Sequence, residues 1–467
     1  MKSNSKDDCS EEWSAELVKM KPASNFPMKR LCNVGVSLLD CEHRTPKAVR
    51  EGCPYIAIPN IKGGRLDLSD ARLISKKDFD SWTKKTKPKS GDIIITRRAR
   101  VGDTAVIPRG LECAIGQNLV ILRSDGSQVD QSYLRWALRG PMYEEQVRKF
   151  MNVGAVFDSL NCADIPKFEI PVPPLPEQRA IARILGTLDD KIELNRCMNE
   201  TLETIARAIF KSWFVDFDPV RAKAEGREPA GMDAETAALF PDSFEETELR
   251  MVPKGWRCTL VGNEVQVIRG VSYRSQDLAE SYTALVTLKS INRGGGYRSD
   301  GLKQYRGEYK SEQMVSPGEL IIAQTDVTQA ADVIGKPALV CPDDTFRILV
   351  ASLDILIVRP INRDLPREFF YLLFLTPEFQ DHIYGHTNGT TVLHLSKTGI
   401  QSYAFVRPSA RIAHVFQEAV VPIFRRIAHN EQESRTLASL RDILLSKLIS
   451  GEIQLKDAEQ LLKSQRL

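Results

Sequence analysis

No run of about 18 apolar residues occurs in the chain, so no membrane-spanning helix is expected. No C-x-x-C pair occurs among the nine cysteines, at 9, 32, 41, 53, 113, 162, 197, 258 and 341. That excludes a simple zinc ribbon, and the odd number argues against a complete disulfide framework. Reduced thiols in a cytoplasmic protein are the simplest reading. No G-x-x-x-x-G-K-[ST] is present: Gly335-Lys336 is followed by proline and lacks the upstream glycine. No G-x-G-x-x-G is present, and Gly294-Gly295-Gly296 reads as a turn. No H-E-x-x-H is present; His382 and His386, with His394 nearby, lack the further placed ligands that a metal requires. The Asn/Asp-Pro-Pro-Tyr/Phe loop of amino-methyltransferases is missing, and so is a trustworthy Asp…Glu-x-Lys nuclease cluster. No catalytic, cofactor-binding or metal-binding residue is therefore assigned, and the chain reads as a recogniser. Charge of one sign is also scarce. With 64 basic and 61 acidic residues the net charge is only +3, so any nucleic-acid surface must come from local clustering. The opening residues, MKSNSKDDCSEEW, have no apolar segment and do not read as a secretory signal.

What the chain does have is length enough for two or three domains, 467 residues, and an internal repeat. Shifted by 235 residues, Gly154 falls on Gly389, Leu160 on Leu395, Ile165 on Ile400, Pro173 on Pro408, Asn195 on Asn430, Thr201 on Thr436 and Leu202 on Leu437. Upstream, SGDIII at 90–95 resembles PGELII at 317–322, and Tyr55-Ile-Ala-Ile resembles Tyr282-Thr-Ala-Leu. Each half opens with a strand-rich segment punctuated by Gly and Pro, with runs such as Ile93-Ile-Ile-Thr and Leu320-Ile-Ile-Ala. One short helix is expected in each, at 132–138 and 368–375.

Each half closes with a long helix. The first starts after Pro173-Pro-Leu-Pro-Glu and runs to about Val215; the second starts at Ser409 and stops before Gly451. Some 40 residues at 1.5 Å each give a rod of roughly 60 Å. The apolar stripe has coiled-coil spacing. It runs through Leu185, Leu188, Ile192, Asn195, Leu202 and Ile209 in the first helix, and through Ile423, Ile427, Asn430, Leu437, Arg441 and Leu444 in the second. The matched Asn195 and Asn430 favour mutual pairing over two helices each packed on its own domain, because a buried asparagine fixes register and partner. Halves related by a pseudo-twofold axis require that the pair run antiparallel. The expected fold is α+β: two pseudo-twofold-related globular domains separated by an antiparallel pair of long coiled-coil helices.

Charge clusters in both globular halves. Lys84, Lys85, Lys87, Lys89, Arg97, Arg98 and Arg100 mark the first, and Lys289, Arg293, Arg298, Arg306 and Lys310 the second; Lys62 and Arg65 join the first as candidates. Such local excess suits phosphate neutralisation. Arginines that follow a strand directly are placed to pair with guanine edges. At the matching place in the second half stand Gln324, Thr325 and Gln329, with Gln suited to adenine. The bland alternative is a set of solvated surface charges. A scaffold with two protein-binding domains on a coiled coil, and no DNA readout, also remains open.

The segment Pro173-Pro-Leu-Pro-Glu-Gln-Arg-Ala-Ile-Ala-Arg-Ile-Leu, continuing through Leu188-Asp-Asp-Lys-Ile-Glu-Leu-Asn to Phe217-Asp-Pro-Val-Arg-Ala-Lys, resembles the central region of type I restriction-modification specificity subunits. Leu437-Ala-Ser-Leu-Arg-Asp-Ile-Leu-Leu-Ser-Lys-Leu-Ile-Ser-Gly-Glu-Ile resembles their C-terminal region, and Gly91-Asp-Ile-Ile-Ile and Gly318-Glu-Leu-Ile-Ile their target-recognition domains. The resemblance implies a non-catalytic subunit in which each globular half reads one half of a bipartite, asymmetric DNA site. The helix pair would set the spacer and dock two methyltransferase subunits, and motor-nuclease subunits would join for restriction. S-adenosylmethionine, ATP and Mg2+ would then belong to these partners. The implied organisation is a mobile leader (1–25), a first recognition domain (26–172), a central helix (173–217), an acidic connector (218–249), a second recognition domain (250–408), a C-terminal helix (409–451) and a tail (452–467). The second half departs from the pattern, with Pro408-Ser-Ala-Arg-Ile-Ala in place of Pro-Leu-Pro-Glu-Gln, which leaves identical docking by both helices in doubt.

Overall fold

The computed structural model describes residues 24–464 except 43, 155–157, 248–250, 327–330, 363, 390 and 391. The expected leader therefore lies almost wholly outside the described residues. The chain divides into two compact units, Met1–Lys191 with Leu437–Leu467, and Ile192–Thr436.

The first unit is built on a four-stranded antiparallel sheet in the order Val36–Asp40, Leu119–Ser124, Ile93–Thr96, Thr104–Val106. Its central strands are continuous runs of Ile, Leu and Val because both faces are covered, and Ile93, Ile94, Ile95, Val120 and Ile121 are fully buried. Cys53–Ile56 pairs in parallel with Ala114–Ile115, and Met28–Arg30 pairs antiparallel with Glu169–Pro171. The second unit repeats the plan. Its sheet runs Val265–Arg269, Ile355–Pro360, Leu320–Ala323, Pro337–Leu339. Thr283–Val286 pairs in parallel with Ile348–Ala351, and Arg257–Leu260 antiparallel with Ala404–Arg407.

Side chains repeat with the strands. Asp92, buried at the head of the strand Ile93–Thr96, binds Arg123 at 2.6 Å. Glu319 binds Arg359 at 2.6 Å at the same place in the second unit. One expected match shifts. Ile56 accepts the N–H of Gly116 and Val286 that of Ser352, and the short turns Ile58–Asn60 and Leu288–Ser290 follow at the same distance. Tyr55 therefore corresponds to Leu285, not to Tyr282. Two apolar strands resemble each other in several registers, and a four-residue match does not choose among them.

The expected short helices form at Gln131–Ala137 and Arg367–Phe374. Each is followed by another, Pro141–Phe150 and Pro377–Gly385, both opened by proline in the first turn. The acidic stretch 218–249 is not a wholly solvated connector. It contains the helices Asp218–Ala224 and Ala234–Leu239 and the strand Phe244–Glu246. Val220 and Phe240 are buried in an aromatic cluster with Trp213, Phe214 and Trp256. The acids lie on the outside of these short elements, while the sparse apolar residues between them decide their packing.

The long helices span Leu175–Phe210, prolonged by one wide turn at Lys211–Val215, and Ala410–Ser450, with Pro422 inside it. Gly451, at φ 73°, ends the second. Its N–H reaches the carbonyl of Leu448 and that of Glu452 reaches Lys447, so the last turn closes in a Schellman motif. Within the second unit the two helices touch. Asn430 donates to Asn199 at 2.8 Å, while Asn195 donates to Glu433 at 2.7 Å and Asn199 to Glu431 at 3.0 Å. The partners descend as the first helix ascends, so this stretch is antiparallel. Within the first unit Arg441 donates to Asp189 at 2.7 Å. That bond accounts for an arginine at a seam position.

Candidate nucleic-acid interface

The strand Ile93–Thr96 delivers the chain into the loop that carries Arg97, Arg98 and Arg100. Arg97 donates its N–H to Asn118 at 2.8 Å and accepts from Leu160 at 2.9 Å. Gln324 donates to Asp354 at 2.7 Å and accepts from Leu395 at 2.8 Å. The two residues therefore occupy the same backbone position in their units. Their surroundings differ. Arg98 and Arg100 are exposed, and Ala99 between them holds a φ of 61° that presents the loop outward. Gln324 and Thr325 are buried. Thr325 donates to Asp354 at 2.9 Å, and the neighbouring Asp326 accepts the N–H groups of Val333 and Ile334. Gln324 and Thr325 are enclosed rather than displayed. Arg97 Nε and Gln324 Oε1 are buried without a hydrogen-bond partner among the described residues. Gln329 lies outside the described residues.

The candidate cations sort by partner. Lys62 binds Asp67 at 2.5 Å, Lys85 binds Asp40 at 3.1 Å and Lys87 binds Glu112 at 3.0 Å. Arg100 reaches Asp103 at 3.4 Å and the Ile61 carbonyl at 2.6 Å. Arg65 turns inward to Asp189 at 3.2 Å. In the second unit Arg293 binds Asp332 at 3.5 Å and Arg298 binds Asp300. Lys84, Lys89 and Arg98, and Lys289, Arg306 and Lys310, are exposed and make no ion pair among the described residues. They carry the uncompensated charge, because a paired cation offers a phosphate little net field.

Residues 36–204 match the family described as "Type I restriction modification DNA specificity domain". The chain is 27% identical over 348 residues to the type I restriction enzyme HindI specificity subunit of Haemophilus influenzae, covering 64% of this chain and 72% of that one. It is 25% identical over 394 residues to the MjaIX specificity subunit of Methanocaldococcus jannaschii, covering 83% of each. At 25–27% identity over most of its length, the chain is similar to type I restriction-modification specificity subunits.

The fold agrees. The crystal structure of a type I system S subunit from M. genitalium superposes with a TM-score of 0.52 at 15% identity, covering 92% of this chain and 98% of that one. The specificity subunits it matches by sequence give no indication of a catalytic family. Among the described residues no group of three or more His, Cys, Asp and Glu side chains is arranged to hold a metal. His382 instead places Nε2 at 2.9 Å from the Gly399 carbonyl, and its ring lies 4.2 Å from that of His386. No helix among the described residues is long and apolar enough to cross a membrane.

The helix-seam candidates divide in two. Leu185, Leu188, Asn195, Asn430, Leu437 and Leu444 are buried, while Ile192, Leu202, Ile209, Ile423 and Ile427 are half-buried. The helices also carry apolar side chains off the seam: Leu194, Ile205 and Ile443 are 55%, 43% and 54% exposed. The sequence reading passed over them, although their signal, apolar residues outside the stripe, was present.

Proposed function

We propose that this chain is a specificity subunit that reads a bipartite, asymmetric DNA site, each globular half contacting one half-site, with the antiparallel helix pair fixing the gap. One observation carries the reading: the same strand order and the same turn occur in both units, but the matched segments differ, Arg97 leading into the exposed Arg98 in the first and Gln324-Thr325 lying enclosed in the second. One scaffold with two lining chemistries is what two different half-sites require. In the first half Arg98 and the unpaired lysines make the contact; in the second, Lys289, Arg306 and Lys310 neutralise phosphate.

The domain limits proposed are 26–172 and 250–408 for the readers and 173–217 and 409–451 for the spacer, with the halves related by a pseudo-twofold axis. The exposed Leu194, Ile205 and Ile443 belong to surfaces that dock two methyltransferase subunits, with motor-nuclease subunits joining in the cytoplasm. S-adenosylmethionine, ATP and Mg2+ are used by these partners, and this chain has no reaction of its own.

A stiff spacer gives specificity for distance: one base pair more moves the second half-site by about 3.4 Å and turns it by about 34°. The deciding experiment replaces 26–172 by the corresponding domain of another specificity subunit and maps methylated sites in the host genome. One half-site changes and the other, with the gap, stays. A change in both half-sites refutes two independent readers.

A further inference from the structure

At the place where the first unit's domain meets its helix segments, four guanidinium groups converge. Arg65, Arg135 and Arg441 all bind Asp189, whose side chain is 3% exposed. Arg139 joins them, and its guanidinium lies 5.3 Å from the Trp136 ring, on which Arg135 also rests at 4.6 Å. The buried carboxylate is single. Asp190 and Asp442, the next acids, are exposed, and Asp442 already pairs with Arg441. Two N–H donors in this cluster, Arg135 Nε and Arg139 Nη1, are buried without a partner among the described residues. Burial and repulsion by Arg441 bring the Arg139 pKa down to about 10 against the pull of Asp189. Positive charge here is therefore under-compensated.

The repeat shows that the fold does not need this charge. A Cβ on Gly64 would strike Arg139, and one on Gly295 would strike Leu375. Arg139 stands two residues before the helix opener Pro141, and Leu375 two before Pro377. The two side chains are equivalent. By the same correspondence Arg135 matches Tyr371, Asp189 matches Phe424 and Arg441 matches Ala206. Tyr371 and Phe424 pack edge to face at 5.3 Å in the second unit. One unit has an aromatic joint, with Tyr371 donating to a Glu203 that pairs with Arg207, where the other gathers four arginines around one carboxylate.

Space adjoins the arginines. A cleft of about 500 Å³ opens beside Arg139, lined by Gly63, Gly64, Arg139 and Arg148 together with the carboxylates Asp103, which pairs with Arg100, and Glu144. Gly63 has nothing within 4 Å of where a Cβ would stand, so a ligand can approach the backbone of the Gly-Gly turn.

We propose that this arginine cluster, entered past the Gly63-Gly64 turn, is a binding site for a phosphate-class oxyanion, with Arg139 as its principal ligand. A tetrahedral anion in the cleft accepts the unused Nη1–H of Arg139, a charge-assisted bond that guanidinium groups favour. The site is additional to the base-reading loops, and its first test needs no DNA.

The test is thermal unfolding of the full chain as inorganic phosphate is raised, with chloride holding ionic strength constant. The midpoint rises and saturates for the native chain. It does not respond in Arg139→Leu, which carries the residue of the other repeat and keeps its midpoint in chloride. An equal response in both, or none in the native chain, overturns the proposal. Arg139→Gln, which keeps the size and loses the charge, replaces the leucine variant if that lacks the native circular dichroism. A duplex of arbitrary sequence then separates the sources. If the anion is a DNA phosphate, Arg139→Leu flattens the slope of log K against log salt by about one. An unchanged slope with the phosphate response intact assigns the site to a small phosphate-bearing molecule. A chain that binds no DNA fails the function proposed above and leaves the phosphate titration readable.

Discussion

Asn430 donates its amide N–H to the side-chain oxygen of Asn199 at 2.8 Å, deep between the two long helices. Both residues are buried, and Asn195 completes the layer one turn away. A polar layer in an apolar seam costs stability and rejects other registers. Asn430→Leu leaves Asn199 without its donor and lowers stability by about 1–3 kcal/mol. Changing Asn199 and Asn430 together to leucine recovers part of that loss, because the buried donor and acceptor leave together while Glu431, half-buried, turns to water. Urea unfolding midpoints of the two variants decide this. A single variant as stable as the native chain means that the asparagines are not coupled.

Asp189 answers to pH. Burial pushes its carboxyl up, yet Arg135, Arg65 and Arg441 together outweigh burial and hold it below the usual carboxylate range. A carboxyl whose pKa is lower folded than unfolded contributes stability that is complete above its unfolded value, about 3.9. That contribution fades as the pH falls from there through the folded value. Asp189→Asn therefore destabilises the chain at neutral pH by about 3–5 kcal/mol, the scale for removing one partner from a buried ion pair. It also flattens the acid side of the profile. Unfolding midpoints from pH 7 down to 3 measure both effects. An acid limb as steep in the variant as in the native chain contradicts the assignment.

Arg98 and Lys87 are close in sequence and differ in what holds them. Lys87 is paired with Glu112 at 3.0 Å, whereas Arg98 is exposed and makes no ion pair among the described residues. Removing an unpaired cation from a DNA contact flattens the salt dependence by about one counterion and weakens binding by about 1–3 kcal/mol where it also reads a base. Arg98→Ala has this effect, and Lys87→Ala changes binding by less than about threefold, since only a compensated charge is lost. Competition assays with either half-site scrambled add a second reading: the Arg98 penalty vanishes only when the first half-site is the scrambled one.

How much of this was legible in the sequence follows from the range of each force. The helix seam was readable because its periodicity is local: Leu185, Leu188, Leu437 and Leu444 are buried where the spacing put them. The equivalence of Arg97 and Gln324 was also readable, since a strand ending in a loop recurs in both halves. Their burial was not. Enclosure of Gln324 depends on segments far away in the chain, among them Leu393–Leu395, whose pairing with Thr325–Asp326 no local pattern announces. The same holds for Arg65. Written beside Lys62 it looks like surface charge, and only the fold brings Asp189, 124 residues away, to its guanidinium. The acidic connector misled for the opposite reason. Composition weighs Glu and Asp by number, but a few residues such as Val220 and Phe240 set where a segment packs.

Gly451 connects the last turn of the second long helix with the start of the described chain. It holds a φ of 73°, and a Cβ there would meet the Phe26 ring at 2.8 Å. Asn25 clasps the same turn, its N–H on the Ser450 carbonyl at 2.7 Å and its side chain on the Gly451 carbonyl at 2.9 Å. Alanine at this position is strained twice, by the left-handed backbone and by the ring. The left-handed strain alone is about 1–2 kcal/mol. The ring is free to give only by lifting residues 24–27 from the helix end. Gly451→Ala therefore destabilises the chain by more than the backbone term. It also exposes the segment around Phe26 to limited proteolysis, while Gly451→Ala with Phe26→Ala relieves the second part alone. If cleavage near residue 26 is as slow in Gly451→Ala as in the native chain, the ring and the glycine do not hold each other.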